Sequence, residues 1–437
     1  MVSANPLKAI AKQGCVAVTG ANPFVLKACM KYAKKQDEYF ICEATVNQVN
    51  QFGGYTGMRP LDYARLIQDM AREINFPFEK IMLSGDHLGP FTWQHLDRET
   101  AMANSRELVR QYVAAGFRKI HLDTSMPLAD DDRATFGNEI IAGRAAELAA
   151  VSEQAYAAAG NDTFWSYRPA YVIGSEVPVP GGTEDEEAVF VTRPADLAAT
   201  IDSFQRAFLA AGLPQVNEDI VAVVAQIGIE FSDETVHEYN HDAVSELAAE
   251  LKKYPSIRFE SHSSDYQTGN CLRLMVQDGV GILKVGPETT FKLREGLFAL
   301  AGIEKELADL YQLDVSNFIA VLEQAMLTTT PNYWQKYYHG SPQQQAFKRK
   351  YSYSDRSRYY LAQPAVSAAM QKLIRNLSAI AMPLTVISQY LPEQYDKIRN
   401  RQLECDPVSI LEDKIQSVIH RYHTAMREAS LRRDVEL

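Results

Sequence analysis

Eight short runs rich in Val, Ile, Leu, Phe and Ala recur along the first 290 residues, at 15–19, 39–45, 81–86, 119–123, 171–176, 220–226, 257–262 and 282–285. Their length and β-branched content mark them as buried strands. Stretches with helical periodicity lie between most of them. In LDYARLIQDMAREI, residues 61–74, the apolar positions Leu61, Ala64, Ile67, Met70 and Ile74 fall three or four apart, which puts them on one helical face. Another such stretch, ETAMANSRELVRQYVAAG, closes on Gly116 as a C-terminal cap. Alternating strands and helices predict a parallel sheet, and eight strands close a (β/α)8 barrel. The expected fold is therefore α/β: a TIM (β/α)8 barrel over 1–302 with a helical C-terminal extension over 303–437.

Side chains alternate along a strand, so each run has two faces. Phe40, Cys42 and Ala44 share one face of the second run, with Glu43 and Thr45 on the other. Ile120 and Leu122 oppose His121 and Asp123; Ile257 and Phe259 oppose Arg258, Glu260 and His262; Leu283 and Val285 oppose Lys284. The apolar face should pack on the outer helices, leaving the polar face inside the barrel toward its C-terminal end. That end collects Glu43, Asp86, Asp123, Glu176, Gln226, Glu260, His262 and Lys284. Branched apolar residues normally fill such an interior, and catalytic residues come from the ends of several strands. The set is read as a polar active-site cavity. The alternative is a buried ion-pair network of Lys284 and Arg258 with nearby carboxylates.

The segments after the strands add candidates. NQVNQFGGYTGM carries Asn47 and the flexible pair Gly53–Gly54, and SGDHLGP puts Asp86 beside His87 at a strand end. That pair offers a proton acceptor and a neutral imidazole ligand. EVPVPGG follows Glu176, with Pro178 and Pro180 stiffening the exit and Gly181–Gly182 forming a hinge-like turn. Gly286 precedes a helix start in the loop after the eighth strand, the usual phosphate position of this fold. His87, Glu176 and His262 come from the third, fifth and seventh strands and form a candidate ligand set for Zn2+ or Mn2+. Lys284 is an alternative Schiff-base nucleophile for a carbonyl substrate.

Charge and composition narrow the partners. Against 44 Lys and Arg stand 55 Asp and Glu, a formal net charge of −11, which disfavours nucleic acid and anionic membrane. None of the five cysteines forms a C-x-x-C pair, so neither a disulfide framework nor a structural zinc cluster is expected. The N-terminus lacks an apolar signal region, and no apolar run reaches the roughly 18 residues of a membrane span. A cytoplasmic protein is expected, with no nucleotide or organic cofactor. In the tail, Tyr333, Trp334, Tyr337 and Tyr338 are expected to pack against the barrel or form a subunit interface, with Arg356 and Arg358 as candidates to reach over its mouth.

NQVNQFGGYTGM, GDHLGP, KIHLD, YVIGSEVPVPGG, FESHSSDYQT, LKVGPETTF, YWQKYY, YSYSDRSRYY and ISQYLP together resemble the GatZ/KbaZ family, the Z subunits of tagatose-1,6-bisphosphate aldolase. The resemblance implies a barrel related to class II aldolases and a place in galactitol, N-acetylgalactosamine or tagatose catabolism. It implies a subunit that supports a separate catalytic Y subunit acting on a ketohexose or its phosphate, with homo-oligomers possible. The kinase label sometimes given to the family finds no G-x-x-x-x-G-K-[ST] loop in this chain. Class II aldolases use three histidine ligands with an Asp immediately before the first. Asp86-His87 resembles that start, Glu176 and His262 fall at corresponding strand ends, and Gln226 stands where a further His is expected. Related metal-dependent ketose 4-epimerases supply the alternative reading, a stand-alone epimerase or aldolase. There Asp86 is the base, with Glu176 as a second catalytic carboxylate, His87, Glu176 and His262 hold the metal, and Glu43, Asn47, Asp123, Gln226, Glu260, Lys284 and Gly286 bind substrate.

Overall fold

A computed structural model describes residues 5–159, 167–177 and 189–433. Eight parallel strands close into a barrel, each hydrogen-bonded to the next in the chain and the last to the first. They are β1 Cys15–Thr19, β2 Phe40–Thr45, β3 Ile81–Leu88, β4 Lys119–Leu122, β5 Ala170–Ile173, β6 Ile220–Val224, β7 Arg258–Ser261 and β8 Val280–Val285. The expected TIM barrel is the observed one. A short antiparallel hairpin, Glu230–Phe231 with Val236–His237, sits between β6 and the helix His241–Leu251.

The outward phase is apolar as expected, with Ile120, Leu122, Phe259 and Leu283 buried against the helical ring. The inward phase is buried too, although it is polar. Register sets one inner layer: Thr19 pairs with Glu43, Glu43 with Ser84, and Ser84 with Lys119. Four neighbouring strands thus bring polar side chains to one level of the barrel.

Two strands end two or three residues earlier than the sequence suggests. β5 stops at Ile173 and β6 at Val224, so Glu176 and Gln226 lie beyond the barrel wall. Gly174 makes the first exit possible, because a Cβ there would stand 3.0 Å from the Val224 side chain. The Pro178–Gly182 turn lies outside the described residues.

The helix Leu7–Gln13 covers the base of the barrel, where Asn5 Nδ2 donates to the carbonyls of Arg118 and Arg168. At the other end of the chain, Pro287–Tyr311 runs across residue 302. Phe318–Thr328, Pro342–Tyr351 and Pro364–Ser378 follow, and Pro407–Arg433 returns to pack on Pro23–Gln36, Gly269–Gln277 and Pro287–Tyr311. The extension thereby shares a wall with the barrel. Trp334 and Tyr338 are buried there, and Trp334 Nε1 donates to Met326 O at 2.7 Å. No helix among the described residues is long and apolar enough to cross a membrane, and all five cysteines are free.

Close backbone approach at the mouth fixes one glycine. A Cβ on Gly89 would lie 1.8 Å from Asp123 O, so the chains leaving β3 and β4 would have to separate. Gly89→Ala is expected to destabilise the protein by about 1–3 kcal/mol in urea unfolding. Gly143, exposed in the helix Asn138–Ala159 with open space around it, is the control. Gly143→Ala should stabilise by roughly 0.5–1 kcal/mol.

Candidate functional site

The inner layer is held by two buried lysines. Lys119 Nζ lies 2.5 Å from Glu43 Oε2 and 2.7 Å from Glu260 Oε2, with all three side chains sealed from solvent. Lys284 Nζ lies 2.5 Å from Asp86 Oδ1, 2.9 Å from Glu43 Oε1 and 3.8 Å from Glu260 Oε1. Thr19 and Ser84 hydroxyls donate to the remaining positions on Glu43 at 2.8 and 2.7 Å. Desolvating ions costs several kcal/mol each, so groups of alternating sign must compensate one another. Burial would raise the Glu43 pKa, but Lys119 and Lys284 more than offset it and hold the carboxylate ionised. Burial would lower the Lys284 pKa, but Asp86, Glu43 and Glu260 carry it above the usual ammonium range. A Schiff base needs a free amine, so this lysine is not poised as that nucleophile. The ion-pair network raised as an alternative is present, with Lys119 as its second cation. Arg258 instead donates to the carbonyls of Pro255 and Ile257.

Above this layer the strand ends bring three histidines together. In β3 the register shifts between Gly85 and Leu88, so Asp86 and His87 both stand opposite His121 on β4. His87 takes a left-handed φ of 50°, strained for a non-glycine residue. The bulge is how two adjacent residues reach one cavity. His87 bridges two aspartates, with Nδ1 2.7 Å from Asp123 Oδ2 and Nε2 3.4 Å from Asp86 Oδ2. His121 Nδ1 is 2.7 Å from Asp86 Oδ1. The His87 N–H also approaches that nitrogen, at 3.2 Å. The shorter contact, to a carboxylate, places the proton on Nδ1 and leaves the lone pair on Nε2. That Nε2 is buried and has no hydrogen-bond partner. The three rings lie 5.0–5.2 Å apart, centre to centre. Burial first, then the Lys284 ammonium, holds the His262 pKa well below the usual imidazole value. Its Nε2 therefore accepts from Lys284 Nζ at 3.2 Å.

A cavity of about 930 Å³ opens over these groups, and Asn47, Asp86, His87, His262, Lys284 and Gly286 reach its wall. The remaining residues expected from sequence sit elsewhere. Glu43, Asp123 and Glu260 lie beneath the cavity, where they face cations, hydroxyls or His87. Glu176 accepts a hydrogen bond from Thr192 Oγ1, and that hydroxyl also takes the Gln226 N–H at 2.9 Å. Strands β5 and β6 end too soon to carry either residue to the histidines. The phosphate position at Gly286 is already filled. Asp265 Oδ1 accepts from Gly286 N at 3.0 Å and Glu288 N at 2.8 Å, so a carboxylate sits where an anion was expected. Burial and neighbouring Glu288 push Asp265 up to about 7 despite those bonds. Arg358 reaches the cavity wall beside Tyr359, whereas Arg356 lies over the Tyr337 ring.

Among the described residues, Asp86, His121, Glu260 and His262 can each offer one ligand atom within 4.8 Å of the others. Two imidazoles and two carboxylates suit Zn2+ or Mn2+, and the orphan Nε2 of His121 fits a ligand awaiting a partner. The set differs from the expected one: His121 and Glu260 take the places assigned to His87 and Glu176. His121 and Lys119 were legible as the polar face of β4, since both alternate with Ile120 and Leu122.

Lys119→Met would leave Glu43 and Glu260 short of their shared cation and is expected to cost about 3–5 kcal/mol in urea unfolding. Asp265 carries a pH signature. An acid with a raised folded pKa contributes most below its unfolded pKa and loses that contribution as pH climbs to the folded one. For Asp265 the window runs from 3.8 to about 7. Asp265→Asn keeps an oxygen acceptor for both N–H groups but cannot titrate. Its stability relative to wild type should rise from pH 4 to pH 8, measured by thermal unfolding across that range.

Residues 4–427 match the family model for the D-tagatose-1,6-bisphosphate aldolase subunit GatZ/KbaZ-like proteins. Among solved structures, the chain is similar to a probable tagatose 6 phosphate kinase from Sinorhizobium meliloti 1021, at 38% identity and a TM-score of 0.85 over 94% of this chain and 100% of that one. More distant matches are the YdjI aldolase from Escherichia coli K12, at 11% identity and TM-score 0.42 over 85% and 98% of the two chains, and a fructose-bisphosphate aldolase from Campylobacter jejuni, at 15% and 0.43 over 85% and 91%. The nearly full-length family match and the 38% relative carry the assignment: this chain belongs to the D-tagatose-1,6-bisphosphate aldolase subunit GatZ/KbaZ-like family.

Proposed function

We propose that this chain is a Z-type subunit of a D-tagatose-1,6-bisphosphate aldolase, supporting a separate catalytic Y-type subunit in the cytoplasmic breakdown of galactitol, N-acetylgalactosamine or tagatose. The observation that carries the reading is the family match over residues 4–427. The cavity of about 930 Å³ is large enough for a ketohexose bisphosphate, since small-molecule pockets run from about 300 to 1,000 Å³. Asn47 and the imidazoles of His87 and His262 line it and can meet sugar hydroxyls. A kinase role lacks a phosphate-binding loop of the G-x-x-x-x-G-K-[ST] kind.

One observation favours a second reading, a stand-alone divalent-metal-dependent ketose 4-epimerase or aldolase. It is the four-donor cluster with the unpartnered His121 Nε2. His121, Glu260 and His262 would hold the cation, leaving Asp86 for the substrate. A bound divalent cation there would supply positive charge against an oxyanion developing on the sugar. Asp86 takes the proton of the C4 hydroxyl. The C3–C4 bond breaks, its electron pair passes toward the C2 carbonyl as an enediolate, and C4 becomes an aldehyde. Re-addition to the other face of that aldehyde, with the proton returned by Asp86, completes epimerisation. Burial opposes ionisation of Asp86, but His87, Lys284 and His121 hold it well below the usual carboxylate range. It is therefore a weak base until those contacts loosen.

The two readings part in one experiment. The chain is purified alone and with a Y-type subunit, then assayed on tagatose, fructose and their phosphates with and without a chelator. The subunit reading expects little turnover alone and a gain in Y-subunit activity or stability on mixing. It also expects Asp86→Asn to leave the turnover of the complex within about twofold. Chelator-sensitive turnover by the isolated chain, lost about 100-fold or more in Asp86→Asn, would establish the epimerase or aldolase reading instead.

A further inference from the structure

The donors that can hold a metal are not idle. Lys284 Nζ stands 2.5 Å from Asp86 Oδ1, 3.2 Å from His262 Nε2 and 3.8 Å from Glu260 Oε1. Three of the four potential ligand residues therefore already face one cation. The His262 lone pair that would bind a metal accepts a proton of that ammonium. A metal ion bound by the same atoms and an ammonium at these distances would overlap in position and repel in charge. Charge balance favours exchange. Glu43, Asp86 and Glu260 face Lys119 and Lys284, which leaves one negative charge. A divalent cation in place of the Lys284 ammonium leaves none.

We propose that Lys284 is the resident cation of the barrel mouth and that its side chain must leave before Asp86, His121, Glu260 and His262 can bind a divalent metal. Lys284 thereby sets the metal affinity of the site. This goes beyond the subunit assignment, and because it is read from metal binding alone, it stands or falls whether or not the chain is an aldolase subunit. Gly286 leaves the strand immediately after Val285, and Lys284 already reaches the cavity wall, so the long side chain can swing into open space.

The test titrates the full-length chain with Zn2+ by calorimetry. Lys284→Met is expected to bind one Zn2+ per chain at least about tenfold more tightly than wild type, because a buried positive charge has been removed from the ligands. Equal or weaker binding by a folded Lys284→Met overturns the proposal. Should that variant fail to fold, Glu43→Gln/Lys284→Met removes one charge of each sign and keeps all four donors. It must show the same gain over Glu43→Gln alone, and no gain overturns the proposal. In wild type, reductive methylation read by mass spectrometry follows the lysine directly. Lys284 should be protected without metal and become modified at saturating Zn2+. Stoichiometric Zn2+ binding with Lys284 still protected would show that metal and ammonium coexist, and the proposal would fail.

Discussion

The ammonium of Lys119, sealed between Glu43 and Glu260, is the contact around which the barrel interior is organised. A barrel of this kind is ordinarily filled by branched apolar side chains whose packing tolerates exchange. Here the filling is ionic, and ions in a low-dielectric interior tolerate little. Each carboxylate oxygen must face a cation or a donor, and each ammonium must face several carboxylates. The hydroxyls of Thr19 and Ser84 complete Glu43 because the register places all three at one level. The same layer positions the chemistry above it. Glu43 and Glu260 also contact Lys284, which holds Asp86, which in turn orients His87 and His121.

Sequence periodicity reveals this interior because alternation is a local property. A residue two places from Asp123 shares its face whatever the rest of the chain does, so the polar phase of β2, β4, β7 and β8 could be read directly. Strand ends are harder. The runs 171–176 and 220–226 look continuous in sequence, yet β5 stops where Gly174 packs against Val224, and β6 stops one residue before Ala225. Two or three residues beyond the strand are enough to turn Glu176 and Gln226 from the mouth to Thr192. The bulge in β3 is equally hidden, because a register shift is a relation between strands. It brings His87 into the cavity, and it is also what sets His121 opposite both Asp86 and His87.

Long-range covering segments leave no periodic trace. Asp265 fills the start of the helix Pro287–Tyr311 from a loop about twenty residues upstream, and nothing in SSDYQT distinguishes an N-terminal cap from a free aspartate. Asp355, in the extension, accepts from Thr290 Oγ1 and from Arg294 Nε on that same helix. This tie holds the adjoining Arg358 and Tyr359 at the cavity wall. The sequence names those residues as aromatic and basic. Only the partners of Asp355, 61 and 65 positions away, say that they roof the mouth.

The acidic balance of the chain acquires a local meaning at this mouth. Carboxylates occupy both places where a ligand charge would ordinarily be met: Asp265 on the helix N-terminus and Asp86 among the histidines. An anion approaching the β8 loop must compete with Asp265 for two backbone N–H groups. A cation approaching Asp86 must compete with Lys284. The same barrel end therefore presents Asn47 and the imidazoles of His87 and His262 in front of charges that are already matched. What binds there is selected first by its hydroxyls and shape. Its charge counts only to the extent that it can displace a resident group, and that cost is set by the ion pairs beneath.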